Sequence, residues 1–151
     1  MMPSKKAKAA GFAEVIYLDA EEHKYVEEVG AANFFCLKDG VLYTPELTGT
    51  ILPGITRDSI IQLARHMGYE VVETKVAADF AMAAEEAFCC GTAAVISPIG
   101  SITLGDNTAT YGDGVTPGKL TQQLYDALTN IQNEVDEDLF GWVHPVPMEM
   151  P

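Results

Sequence analysis

Asn33-Phe34-Phe35-Cys36-Leu37-Lys38-Asp39-Gly40-Val41-Leu42-Tyr43-Thr44 is the stretch that decides the fold. Two apolar, β-prone runs flank an Asp-Gly pair. That pair between such runs marks a two-residue β-hairpin, because both central residues of the favoured turn take φ > 0. Upstream, Val15–Leu18 and Tyr25–Val29 read as shorter strands. Downstream, Thr44–Gly54 carries two prolines and two glycines and reads as a loop. A helix follows, with Thr56 suited to the N-cap, Asp58 in the first turn, Ile60, Leu63, Ala64 and Met67 on one face, and Gly68 at its end. Tyr69–Val76 reads as a strand and Asp79–Ala84 as one or two helical turns. Strands first and helices interleaved define an α/β or α+β domain.

The remaining chain is less regular. Glu86–Cys90 and Ala94–Ser97 read as buried strands around Gly91-Thr92, and Ile99–Leu104 as a further strand or edge. Gly105–Gly118 reads as a loop. Thr116-Pro117 then opens a second helix with proline at the favoured first position and Leu120, Leu124, Ala127, Leu128 and Ile131 on its apolar face. The tail Glu134–Pro151 is acidic, then proline-rich, and is expected to pack only through Leu139, Phe140 and Trp142. The basic N-terminus reads as the last turns of an amphipathic helix closed by Gly11. No apolar segment follows it, so it is not a secretory signal.

Composition removes several function classes. A formal charge of −13 over 151 residues offers no basic face for nucleic acid or an anionic membrane. No apolar run approaches the roughly 18 residues of a membrane span. Three cysteines, Cys36, Cys89 and Cys90, are an odd set with two adjacent members. That pattern predicts buried free thiols in a reducing compartment rather than a disulfide framework. His23, His66 and His144 share no metal-ligand spacing, so no metal is expected. Glu85-Glu86 reads as a solvated face beside a strand.

Three loops carry the chemistry. In Glu27–Asn33, a carboxylate stands at a strand-to-turn junction beside Gly30, where it either projects into a pocket or forms a solvated acidic turn. In Leu52-Pro53-Gly54-Ile55-Thr56-Arg57-Asp58, a Pro-Gly turn feeds a helix N-terminus, whose free amides and dipole attract phosphate. Thr56 there caps the helix, binds an anion, or both. In Cys90-Gly91-Thr92-Ala93-Ala94, glycine permits a close backbone approach and threonine adds a hydroxyl; the bland alternative is a tight turn within a sheet.

In order and spacing, these loops resemble fold type IV pyridoxal-phosphate enzymes, and branched-chain amino acid aminotransferases among them. The resemblance runs from Lys5 to Val143, through Gly49–Arg57, Gly68–Val71, the Gly91-Thr92-Ala93 loop, Ile96–Pro98 and the late Gly141-Trp142. It implies a large domain over residues 1–143, a pseudo-barrel of mixed strands with flanking helices, and a tail over 144–151. It implies pyridoxal 5'-phosphate as cofactor, with Glu28 on the pyridine nitrogen and Leu52 against the ring. Ile55 and Thr56 would then serve as backbone donors to the phosphate beside Gly54, with the Thr92 side chain on that phosphate beside Gly91. Gly30, Ala31 and Ala93 would line the substrate carboxylate.

The activity implied is amino transfer from leucine, isoleucine or valine to 2-oxoglutarate by an enzyme that is a homodimer in its full-length form; the expected compartment is the cytoplasm, with an organelle as the alternative if a targeting segment lies upstream. The resemblance departs where it matters most. The family's Schiff-base lysine and small N-terminal domain precede the matched text, and Lys24, Lys38, Lys75 and Lys119 match no catalytic position. The chain is therefore expected to be a truncated, cofactor-binding fragment without turnover; the alternative is a non-catalytic partner or regulatory protein. Loss of the small domain is expected to uncover apolar surface around Phe34, Phe35 and the Gly91 loop and to promote self-association.

Overall fold

The computed structural model describes residues 2–148. In chain order the elements are α1 (Met2–Ala9), β1 (Ile16–Leu18), β2 (Val26–Val29), β3 (Ala32–Lys38), β4 (Val41–Pro45), α2 (Ile55–His66) and β5 (Glu70–Thr74). They continue as α3 (Ala78–Met82), β6 (Glu86–Gly91), β7 (Val95–Pro98), β8 (Ser101–Leu104), β9 (Asn107–Thr110) and α4 (Lys119–Gln132). The expected mixed α/β class is the one observed.

The hairpin at the centre of the sequence reading is also the centre of the sheet. Asp39 and Gly40 take φ of 51° and 77°, the two left-handed residues that a type I′ turn requires. β3 pairs antiparallel with β4, β2 and β6. β4 and β5 are parallel, so α2 is their crossover helix. Beyond β5, the Val26 amide donates to the Val76 carbonyl and Tyr25 bridges Ala77, so the sheet curls back on β2. This closure gives the expected pseudo-barrel character.

Four consecutive buried residues in β3, Asn33 to Cys36, show that both faces of the sheet are covered. Phe35 and its cross-strand partner Phe88 stack at 5.0 Å beneath α2 and α4, together with Cys90, Ile96, Leu120 and Leu124. Phe34 and Cys36 face the opposite way, into a second cluster with Val26, Val76, Ala81 and Tyr111. Burying each phenylalanine is worth about 2–3 kcal/mol. Phe34 and Phe35 are wholly buried, against the expectation that they border uncovered surface. The exposed apolar side chains are others, Leu52 and Ile55 among them.

Several boundaries differ from the sequence reading. Thr56 is not the N-cap of α2; Gly54 is, and Thr56 lies inside the first turn. Met67 is the C-cap and is partly exposed, while Ile61 and Arg57 are buried on that helix. Asn107–Thr110, read as loop, pairs with β8 around Gly105 as a second, two-stranded sheet. Pro117 precedes α4 rather than opening it, because Gly118 is the N-cap. In the tail, Phe140, Trp142 and Val143 pack on the core, whereas Leu139 is 60% exposed. Residues 149–151 of the tail lie outside the described residues. Gly11, at φ 91°, closes α1 as read.

Candidate cofactor site

One lateral row of cross-strand partners organises the site: Glu28 in β2, Asn33 in β3, Cys90 in β6 and Ile96 in β7. Directly opposed residues on neighbouring strands point to the same face. Glu28 and Asn33 therefore share the helix-covered face, near the edge where the β2–β3 turn (Gly30, Ala31) and the β6–β7 turn (Thr92, Ala93, Ala94) also lie. Glu27, on the other side of the pleat, accepts a hydrogen bond from the Thr50 hydroxyl at 2.9 Å.

The loop entering α2 is fastened to this row at one residue. The Leu52 amide donates to Glu28 Oε1 at 3.0 Å, and the Leu52 carbonyl accepts from Asn33 Nδ2 at 2.9 Å. The same carbonyl accepts from the Gly54 amide at 2.8 Å, closing a tight turn around Pro53. Gly54 is required: a Cβ there would overlap Asn33 Oδ1. Arg57, read only as part of a motif, is 4% exposed and donates to the Pro45 carbonyl at 3.1 Å and to Glu73 at 2.7 Å. It ties the end of β4 to the start of α2, across the loop that both elements flank.

The helix N-terminus so placed is open. Gly54 has no side chain to cap it, and the amides of Ile55, Thr56 and Arg57 meet no acceptor among the described residues. Such amides, aligned with the helix dipole, favour negative charge. Leu52 is 67% and Ile55 87% exposed beside them. Glu28 Oε2 meets no donor among the described residues. A Cβ on Gly91 would meet nothing within 4 Å, so the space over that turn is open from this chain's side. Val95, which ends the turn, holds φ at 56°, a strained value for a β-branched residue. Free donors, a carboxylate oxygen, an exposed leucine and two glycine backbones suit a flat, phosphorylated, protonated heteroaromatic ring.

Glu86 does not form a solvated face. Its carboxylate accepts from the Leu120 and Thr121 amides, each at 3.0 Å, and from the Thr121 hydroxyl at 3.1 Å, plugging the N-terminus of α4. Glu85 accepts from the Asp39 amide of the hairpin turn. Asn33, Arg57 and Glu86 are the residues that sequence reasoning left without roles.

Burial pushes the Cys36 and Cys90 thiols up to about 12, and raises half-buried Cys89, so all three are free, neutral thiols. Backbone amides of Tyr25, Glu22 and Lys24 lower Asp19 to about 2, and the Thr116 hydroxyl and amides of Thr116 and Val115 do the same for Asp113. Two clefts are lined by none of the four residues of the row. One of about 360 Å³ is lined by Asp19, Tyr25, Glu27 and Lys75; one of about 510 Å³ is lined by Glu86, Pro98, Tyr111 and Asp113. Among the described residues no acidic, histidine or cysteine cluster is built to hold a metal, and no helix is long and apolar enough to cross a membrane. The lysines lie elsewhere: Lys24 and Lys75 are over the Tyr25 ring, Lys38 reaches the Ala83 carbonyl, and Lys5, Lys6, Lys8 and Lys119 are exposed.

The curled sheet with this edge is the architecture of a fold type IV aminotransferase domain. It superimposes on the branched-chain amino acid aminotransferase of Escherichia coli with a TM-score of 0.81 at 38% identity, over 92% of this chain and 45% of that one. It also matches a T.th. branched-chain amino acid aminotransferase complexed with N-(5'-phosphopyridoxyl)-L-glutamate, at a TM-score of 0.81 and 34% identity, over 93% and 45% of the two chains. The chain belongs to the class IV amino-transferase family, whose model matches residues 1–102. It is 48% identical over 136 residues to a chloroplastic branched-chain-amino-acid aminotransferase of Arabidopsis thaliana. That match takes in 90% of this chain and 33% of the relative, so the chain spans about a third of that relative's length.

Proposed function

We propose that this chain forms the cofactor-holding part of a pyridoxal-phosphate-dependent branched-chain amino acid aminotransferase. The observation that carries the reading is the uncapped N-terminus of α2, fastened through Leu52 to Glu28. The relatives' names and the phosphopyridoxyl ligand of one solved relative support it. Pyridoxal 5'-phosphate, when bound, supplies the electron sink for chemistry at the substrate α-carbon. The Ile55 and Thr56 amides and the Thr92 hydroxyl would hold the phosphate, beside Gly54 and Gly91. Leu52 would pack on the ring. Glu28 would hold the proton on the pyridine nitrogen, since an adjacent carboxylate favours the charged form. Gly30, Ala31 and Ala93 would offer backbone to the substrate carboxylate. The substrates are leucine, isoleucine or valine and a 2-oxo acid, and the working assembly of the full-length protein is a homodimer.

The lysines favour a second reading for this chain on its own: a non-catalytic partner or regulatory protein that retains the cofactor edge. None of the seven hydrogen-bonds or pairs with Glu28, Leu52 or the α2 amides. The expected outcome is no amino transfer from leucine to 2-oxoglutarate by the 151-residue chain with cofactor, and no single pyridoxyl-lysine after borohydride reduction. Turnover, or one stoichiometrically labelled lysine, would establish that the chain carries its own catalytic amine.

A further inference from the structure

We propose that Asn33 is a positioning residue that sets the spacing between the Glu28 carboxylate and the free amides of α2. The proposal rests on the reading that one phosphorylated pyridine spans those two groups. A ligand gripped at both ends gains from the second grip only if the two are held at its own length. The helix end is carried by the loop of residues 45–54 and the carboxylate by a strand, so something must fix one against the other.

Leu52 is where they meet, and both of its backbone polar groups are used. Glu28 takes its amide at 3.0 Å, and Asn33 takes its carbonyl at 2.9 Å. Glu28 and Asn33 are themselves direct cross-strand partners. The two side chains therefore grip one peptide segment from a single rigid rung of the sheet. Glu28 alone would leave Leu52 free to rotate about its amide hydrogen bond; the carboxamide removes that freedom. Asn33 is only 6% exposed, and its Oδ1 lies against Gly54, where no Cβ intervenes. The same side chain thus seats both the first and the last residue of the Leu52–Gly54 turn. The Ile55 and Thr56 amides, which follow directly, take their direction from that turn. Asparagine suits the task because it donates to a carbonyl while remaining neutral beside Glu28. Aspartate has nearly the same shape but no donor, and it sets a second carboxylate against both groups.

The test compares ligands rather than activity. The 151-residue chain and its Asn33→Asp and Asn33→Ala variants are titrated calorimetrically with pyridoxamine 5'-phosphate, pyridoxamine and inorganic phosphate. The amine form avoids reaction with surface lysines. Asn33→Ala brings no charge into the buried position and serves if the aspartate variant does not fold. Wild type should bind pyridoxamine 5'-phosphate more tightly than either fragment. The variants should lose about tenfold of that affinity while changing the affinity for inorganic phosphate by less than about twofold. A variant that keeps the full advantage of the two-ended ligand, or that loses phosphate and pyridoxamine phosphate equally, overturns the positioning role and leaves the cofactor reading intact. A wild-type chain that binds pyridoxamine 5'-phosphate no better than phosphate overturns both.

Discussion

The two long helices of the chain begin alike and are finished differently. α2 and α4 each start after a glycine N-cap in extended conformation, with no local side chain on the first amides. At α4 the gap is filled from 34 residues away, by the Glu86 carboxylate on the Leu120 and Thr121 amides. At α2 no acceptor among the described residues fills it, although Glu28 is close enough to bond Leu52 just before the helix. Terminal donors filled from within the chain leave no room for a ligand, whereas donors left free are open to water or to an anion. Gly118 belongs to the first arrangement, because a Cβ there would collide with the Glu86 side chain. Gly54 belongs to the second, packed against the Asn33 carboxamide.

The contrast can be broken most severely at α4. Glu86→Ala strips three donors of their acceptor at a largely enclosed helix end and should cost about 2–3 kcal/mol in urea unfolding. Loss of less than about 0.5 kcal/mol would mean the plug is incidental. Arg57→Met should cost about 2 kcal/mol, less than for a fully buried pair because Glu73 is partly exposed, and should loosen the loop of residues 45–54 without affecting α4. Amide exchange faster in that loop than at Leu120 and Thr121 is the expected signature.

A milder change sharpens the comparison. Ile55→Pro removes one free amide of α2 at the helix position where proline is favoured, and Gly54 already has the extended backbone a following proline needs. Ile55 is 87% exposed, so little packing is lost. Stability without ligand should stay within about 0.5 kcal/mol of wild type. The rise in melting temperature on adding inorganic phosphate should shrink markedly. An undiminished phosphate effect would move the anion site elsewhere.

The smallest effect concerns the loop that feeds α4. Asp113 is held at about 2, below the ordinary 3.8, first by the Thr116 hydroxyl and then by backbone amides. A depressed carboxyl stabilises the fold above its unfolded value and loses that contribution as pH falls through the folded one. Wild type should therefore lose stability between pH 3.8 and about 2, and Asp113→Asn should lose less across that window while being weaker at neutral pH. Equal acid limbs in the two proteins would contradict this.

What the sequence disclosed follows from the range of the forces involved. The hairpin was legible because Asp39-Gly40 sets its own geometry locally, and the apolar faces of α2 and α4 because their period is local too. The helix starts were misread because the rule for side-chain caps favours Thr56 and Thr116, whereas both helices use glycine and a distant group or none. Nothing near Leu120 announces Glu86. Asn33 likewise acts across 19 residues, and only the register of β2, β3 and β6 brings it beside Glu28. Arg57 did leave a signal: a cation in register with Ile60, Ile61 and Ala64 on an apolar helix face calls for a buried partner. The family resemblance pointed to the candidate edge as three separate loops; that Glu28, Leu52 and Gly54 form one hydrogen-bonded unit was not legible.

The open end of α2, and not the plugged end of α4, is proposed to receive the phosphate of the cofactor. The most direct measurement is an amide NMR titration of the isotope-labelled chain with pyridoxamine 5'-phosphate. Saturable shifts should concentrate at Ile55, Thr56 and Thr92 and in the Glu28–Ala31 turn, with Leu120 and Thr121 unmoved. Shifts centred on Leu120 and Thr121, or none at Ile55 and Thr56 at saturation, would contradict it.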